Sequence, residues 1–231
     1  MISDLGVIIA AGGSSQRYGE KDKLLEELAG LPVFLHSVRN FMPFTAPGNL
    51  VVAVRSSALD DYRRIAEKFF PGNPVVWVPG GIDRIASVRN ALDALPVSDG
   101  LVAVHDAARP LASGRLLERV VARARITGGA IAGAKVTDSL KLSGTDGMIR
   151  MPVSREMVYR AETPQVFDIA KYRHACAILQ DSTPTDDAEI MRLAGFPVAL
   201  VESGELNLKL TAPDDLIKLQ QIFSGGRVWE K

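Results

Sequence analysis

With 231 residues, and 27 basic against 27 acidic side chains, the chain is long enough for one substantial core and carries no overall field that would draw in nucleic acid or an anionic membrane. A single cysteine, Cys176, excludes a disulfide framework and a cysteine-built metal site, which fits a reducing cytoplasm. The N-terminal stretch has no basic region and no apolar run able to span a bilayer, so the expectation is a soluble, untargeted, cytoplasmic protein with one domain over residues 1–231.

The first element is the run Leu5-Gly6-Val7-Ile8-Ile9-Ala10-Ala11, small, apolar and uncharged, as suits a parallel strand covered on both faces. Gly12-Gly13 follow, where the lack of a Cβ lets backbone amides close on a phosphate, and Arg17, Lys21 and Lys23 add mobile positive charge. No Lys-Ser or Lys-Thr pair follows the last glycine, which excludes a P-loop. The polar run 14–23 lacks the helical apolar period that a dinucleotide fingerprint requires. What remains is a long polar loop of the kind nucleotidyltransferases wrap over a nucleoside triphosphate, beside the plainer reading of a Gly-rich turn with a solvated basic face.

Pro32 stands where a first helical residue is often proline, and Val33, Leu35, His36, Val38 and Phe41 share one face of the helix it opens. Strands are expected over 50–54, 75–78 and 101–104. Leu59, Tyr62, Ile65 and Phe69 follow the first at helical spacing, and Ile85, Val88, Leu92 and Leu95 follow the second. A helix over 113–125 and a strand over 130–136 continue the alternation. The fold class is therefore α/β, an open, mostly parallel sheet with helices on both faces. Ligands on such sheets bind beyond the carboxyl ends of the strands. Gly12-Gly13, Gly80-Gly81 and His105-Asp106 all stand at such ends and should share one rim.

Over about 138–153 the period changes to two. Leu140 and Leu142, a turn at Asp146-Gly147, then Ile149, Met151 and Val153 read as a protruding β-hairpin arm. A lone hairpin is marginal in water, so the arm should pack on a second subunit or fold back on its own domain. A short helix near 168–179, a strand at 198–201 and a last helix opened by Thr211-Ala212-Pro213-Asp214 follow, the last as a capping box with an aspartate in the acidic position. The tail after Ser224 is expected to be loosely ordered.

Asp106, at a strand end, can face a metal or a sugar hydroxyl. Mg²⁺ on a triphosphate takes only one or two protein carboxylates, a requirement Asp106 meets, while a helix-capping role is its structural alternative. His105 reads as a satisfied near-core histidine without a role. Arg109, Arg155 and Lys209, with Arg17 and Lys23, are enough to neutralise a triphosphate and a second phosphorylated substrate. Arg55, after the second strand, could hold a 2'-phosphate and keeps an NADP-dependent oxidoreductase in play. Thr163-Pro164-Gln165 and Thr185-Asp186-Asp187-Ala188 read as polar loops, the second also as a helix N-cap. Zinc spacing and a nucleophile elbow are both missing, so zinc and covalent chemistry have no support.

Taken together, Ala10-Ala11-Gly12-Gly13 with Arg17 and Lys23, Pro79-Gly80-Gly81 with Arg84, Ser87-Val88 and Asn90, Val104 to Pro110, Thr137-Asp138-Ser139, Thr163-Pro164-Gln165, Thr185 to Ala188 and Asn207-Leu208-Lys209 resemble, in family order, the 2-C-methyl-D-erythritol 4-phosphate cytidylyltransferases. The resemblance implies a Rossmann-like nucleotidyltransferase sheet and a CTP- and Mg²⁺-dependent transfer to a sugar phosphate with loss of pyrophosphate. By similarity Arg17, Lys23 and Lys209 are catalytic. Ala10, Ala11, Gly12, Gly13, Gly81, Asp83 and Ser87 bind CTP, while Asp106, Arg109, Ser139, Arg155, Thr163 and Lys209 bind the sugar phosphate. It also implies a homodimer whose arm carries Arg155 into the partner's site. The chain departs from the family's usual wording at Ser15, Asp22, Leu24 and Ser154. A ribitol 5-phosphate or other polyol phosphate cytidylyltransferase, and a non-catalytic nucleotide-binding protein, are the other readings.

Overall fold

The computed structural model describes residues 1–13, 18, 19, 21–179, 184–204 and 206–225. Arg17, Ser15 and the tail after Gly225 lie outside the described residues. In chain order the elements are β1 (Leu5–Ala11), β2 (Glu27–Leu28), β3 (Leu31–Pro32), α1 (Val33–Phe41), β4 (Leu50–Val54), α2 (Leu59–Phe69), β5 (Val75–Pro79), α3 (Arg84–Ala94), β6 (Leu101–Asp106), α4 (Gly114–Thr127) and β7 (Gly129–Lys135). They continue with β8 (Leu140–Ser143), β9 (Ile149–Val153), β10 (Tyr159–Asp168), α5 (Ile169–Ile178), α6 (Asp187–Leu193), β11 (Ala199–Glu202) and α7 (Pro213–Ser224).

Seven strands form one sheet in the order β11-β7-β10-β6-β1-β4-β5. All neighbouring pairs run parallel except those of β10, which is antiparallel to both β6 and β7. The alternation along β1 divides the core. Leu5, Val7 and Ile9 face α1, α2, α4 and α7, whereas Ile8 faces α3, α5 and α6. Both faces are thus covered, which is why β1, β4 and β6 are almost continuously apolar. Each large side chain in these layers contributes about 1.5–3 kcal/mol by leaving water.

β10 is the largest departure from the sequence-based expectation, which placed Thr163-Pro164-Gln165 in a loop. Its middle is polar, and proline is normally kept to edges and bulges. Here Pro164 stands where the pairing with β7 shifts register, between Ala161 and Gln165. Glu162, Thr163 and Gln165 are nevertheless buried, because each has hydrogen-bond partners on neighbouring elements. Two helix starts also differ from expectation. Pro32 is the N-cap of α1 and precedes its first residue. In α7 the capping carboxylate is that of Asp215, not Asp214, accepting from the Thr211 and Ala212 amides at 3.0 and 2.9 Å.

β8 and β9 pair with each other and, among the described residues, with no other strand, Leu142 opposite Met151 and Leu140 opposite Val153. The resulting hairpin shows Leu142, Ile149 and Met151 to solvent, each more than half exposed.

Candidate active site

The register of the sheet sets Ala10 of β1 beside Asp106 of β6. A pocket of about 110 Å³ opens just beyond, lined by Ala10, Gly12 and Gly13 on one side and Asp106 and Ala108 on another. Lys23, Arg84 and Ser87 of α3, and Lys209 reach it from three separate segments. The expected shared rim is found, since β1, β5 and β6 run parallel in one sheet and carry all three motifs at their carboxyl ends, although only two of the three line the pocket. Of the third, Gly80-Gly81, neither glycine lines the pocket, but both pack behind it. A Cβ at Gly80 would lie 2.8 Å from Ser87 Oγ, and one at Gly81 only 2.3 Å from the Ala86 Cβ. Glycine is needed there for the β5 end to approach α3 so closely.

Asp106 is the hub. Its Oδ1 accepts from Arg84 Nε at 3.0 Å and its Oδ2 from Lys209 Nζ at 2.6 Å, while Arg109 Nε lies 3.9 Å from Oδ2. Burial alone would raise the Asp106 pKa. Arg84 and then Lys209 outweigh it and hold the carboxyl well below the usual range. Both oxygens thus face cations already, so the fit expected of Asp106 as a magnesium ligand is poor. Among the described residues there is also no cluster of three or more His, Cys, Asp or Glu able to hold a metal.

Behind Asp106 the support is built from side chains far apart in sequence. The Asp106 amide donates to Thr163 Oγ1 at 3.0 Å, and the same hydroxyl lies 3.0 Å from His105 Nδ1. His105 Nε2 faces the Arg109 carbonyl at 3.2 Å, so Nε2 carries the proton and Nδ1 accepts from Thr163. Burial pushes the His105 pKa down to about 3, so the ring is a neutral strut and no base, as expected. Lys209 is placed by its neighbours. Asn207 Nδ2 donates to Glu162 Oε2 and the Thr163 carbonyl, both at 2.9 Å, Arg109 Nη1 donates to the Asn207 carbonyl at 2.7 Å, and the Leu210 amide to that of Ala108 at 2.8 Å.

On the other side, Arg84 also pairs with Asp187 at 2.7 Å, and Asp187 accepts from Tyr172 at 2.5 Å with no solvent exposure. Asp186 caps α6 as expected of the Thr185 to Ala188 segment, but Asp187 turns inward instead. Spacing gave no hint of that, since the partner lies on α3. Arg84 was visible as part of the Gly80-Gly81 motif without a role. Asn207 was likewise visible only within Asn207-Leu208-Lys209, whereas Glu162 was missed, and no local signal marks it.

The remaining expected residues are spread more widely. Ser87 is buried with its hydroxyl donating to the Asp83 carbonyl at 2.7 Å and accepting from the Gly81 amide at 3.0 Å. Asp83 caps α3. Ala11 lies in the core, 2% exposed. Ser139 and Arg155 are exposed and line none of this pocket, and Arg155 donates to the Thr137 carbonyl. A second hollow of about 380 Å³ is lined by Val136, Thr137 and Asp138, which lead into the hairpin, and by Leu208 next to Lys209. Arg55, the residue that favoured NADP, is paired with Asp22 at 2.7 Å.

The chain matches the family model described as 2-C-methyl-D-erythritol 4-phosphate cytidylyltransferase over residues 5–224. Curated relatives of that name include one from Pelotomaculum thermopropionicum, 35% identical with 98% of each chain covered. Another, from Rhodopirellula baltica, is 36% identical with 93% of this chain and 92% of the relative covered. Among solved structures, the 4-diphosphocytidyl-2C-methyl-D-erythritol synthase of Anaerococcus prevotii superposes with a TM-score of 0.82 at 26% identity, covering 95% of this chain and 98% of that one. The 2-C-methyl-D-erythritol 4-phosphate cytidylyltransferase of Thermus thermophilus gives 0.79 at 30% identity, covering 94% and 97%.

Proposed function

The chain belongs to the 2-C-methyl-D-erythritol 4-phosphate cytidylyltransferase family, and on that premise we propose that its two substrates meet in the pocket around Asp106. It is a nucleotidyltransferase that moves the cytidylyl group of CTP to 2-C-methyl-D-erythritol 4-phosphate, giving 4-diphosphocytidyl-2C-methyl-D-erythritol and pyrophosphate. One observation carries the placement of this reaction. Lys23, Arg84 and Lys209 converge from three distant segments on the glycine-lined end of β1.

In this reading Ala10 to Gly13, through their backbone, and Arg17 and Lys23, through their charge, hold the triphosphate. Gly81, Asp83 and Ser87 surround the base and ribose. Asp106, Ser139, Arg155 and Lys209 take the sugar phosphate, and the buried Arg109 and Thr163 serve it by holding Asp106 and the Lys209 loop in place. A phosphate oxygen of the sugar forms a new bond to the α-phosphorus as the bond to the bridging oxygen breaks, and the electron pair leaves on pyrophosphate. The protein supplies alignment and positive charge where the departing oxygens gain negative charge. A bound Mg²⁺ would supply further positive charge to the phosphates, while Asp106, paired with Arg84 and Lys209, serves to hold those two cations at the pocket.

We also propose a homodimer. The hairpin's exposed Leu142, Ile149 and Met151 favour a partner surface, and Arg155, just after β9, does not line its own chain's pocket. No helix among the described residues is long and apolar enough to cross a membrane, and a cytoplasmic enzyme is the proposal that goes with it.

The test is pyrophosphate release from CTP with Mg²⁺, comparing 2-C-methyl-D-erythritol 4-phosphate with ribitol 5-phosphate. Release with the first and little with the second is expected. Preference for the second would keep the chemistry and overturn the acceptor.

A further inference from the structure

We infer that Asp22 is a positioning residue for nucleotide binding and transfer, clamping the backbone on both sides of Lys23 through Arg55 and Tyr62. This rests on the reading of Lys23 as a triphosphate contact and adds residues to which that reading gave no part. Asp22 Oδ1 accepts the Leu24 amide at 3.1 Å, which closes a tight turn around Lys23. Its Oδ2 accepts from Arg55 Nη2 at 2.7 Å and from the Tyr62 hydroxyl at 2.9 Å. The carboxylate thus ties the Lys23 turn to the residue just past β4 and to a fully buried tyrosine of α2.

The geometry makes this more than a surface ion pair. Asp22 is only 14% exposed in its side chain, and Leu24 on the far side of Lys23 is 3% exposed in the main core. The Leu24 carbonyl accepts from the Phe34 amide at 3.2 Å, and the Phe34 ring lies 4.6 Å from that of Tyr62. The neighbours of Lys23 are therefore fixed to two helices joined by that ring contact, Asp22 to α2 and Leu24 to α1, while Lys23 itself lines the pocket that holds Gly12, Gly13 and Asp106. Burial pushes the Tyr62 hydroxyl's pKa upward and the Asp22 charge adds to it, so the hydroxyl stays a donor. A long cation that must meet a developing charge gains from such restraint, since misplacement by about 1 Å can cost about 10²-fold in rate.

The experiment uses the full chain with Asp22→Ala, Arg55→Met and Arg55→Lys. CTP affinity is read by calorimetry, with kcat and both KM values from pyrophosphate release. Asp22→Ala and Arg55→Met are expected to weaken CTP about 5-fold or more and to lower kcat about 10-fold, with the sugar phosphate KM within about twofold of wild type. Arg55→Lys should restore most of both. Arg55 is partly exposed, so its variants remain informative if Asp22→Ala folds poorly. Normal CTP affinity and kcat in Arg55→Met, with only a lower melting temperature, would overturn the inference. If the wild type binds CTP but transfers to neither acceptor, the functional reading fails separately, and the CTP affinities still decide the role of Asp22.

Discussion

Lys209 Nζ lies 2.6 Å from Asp106 Oδ2, although 103 residues separate them in the chain. The lysine is 39% exposed, so it can exchange this partner for a phosphate without leaving its place, while Arg84 stays on the other oxygen. Lys209→Ala should therefore leave the fold intact. It should lower turnover by about 10²-fold or more, the usual worth of one preorganised contact to developing charge. Lys23→Ala should do the same. Pyrophosphate release beside a melting curve checks both, and near-normal turnover in both variants would remove these lysines from the mechanism.

Asp187 presents the opposite case, a carboxylate with no solvent exposure whose partners are Arg84 and Tyr172. Removing one member of a buried pair leaves the other charge uncompensated, at about 3–5 kcal/mol. Asp187→Ala is expected to lose stability on that scale in urea titration. It should also lower kcat, because Arg84 then loses the anchor that aims it at Asp106. Stability within about 1 kcal/mol of wild type would show that Arg84 finds solvent instead.

These two cases mark what could be read from the chain. Gly12-Gly13 and Asp106 were legible because they obey a local rule: they stand at strand ends in a parallel sheet, where ligands bind. β10 was not. Its residues are polar because they serve the site, and its proline is tolerated only because a register shift opens beside it. The inward pairing of Asp187 was not legible for a related reason. Asp186 satisfies the capping signal alone, and the partners of Asp187, Arg84 on α3 and Tyr172 on α5, lie beyond any local pattern. Glu162 and Asn207 act on Lys209 through contacts 45 residues apart.

Two buried histidines set an acid limit on stability. Burial pushes His105 down to about 3 and His36 down to about 4. Both remain neutral in the folded chain at a pH where the unfolded chain, with an ordinary histidine pKa near 6.5, binds protons. The unfolded state binds more protons, so stability rises with pH in this window and falls as pH drops from about 6.5 toward 4. The slope is about 1.4 kcal/mol per pH unit for each histidine at most. Replacing His36 by Gln should remove its part, so the stability gap between wild type and variant narrows from pH 7.5 to pH 5. A gap constant with pH in urea titrations would show that His36 titrates normally.

Arg155 offers the sharpest test of the assembly. It follows the hairpin, is exposed and lines none of its own chain's pocket, whereas Lys209 does. If the arm delivers Arg155 to the partner, each site combines Lys209 of one chain with Arg155 of the other. Arg155→Ala and Lys209→Ala would each be nearly inactive alone. Refolded together in equal amounts, half of the dimers should be mixed, and each mixed dimer should carry one site with both residues intact. Activity should then recover to about a quarter of wild type, in line with the closed two-fold exchange expected of a symmetric dimer. An arm serving its own chain would leave every site in the mixture lacking one of the two residues. In that case no recovery would occur, and a two-chain mass by sedimentation would report only contact between copies.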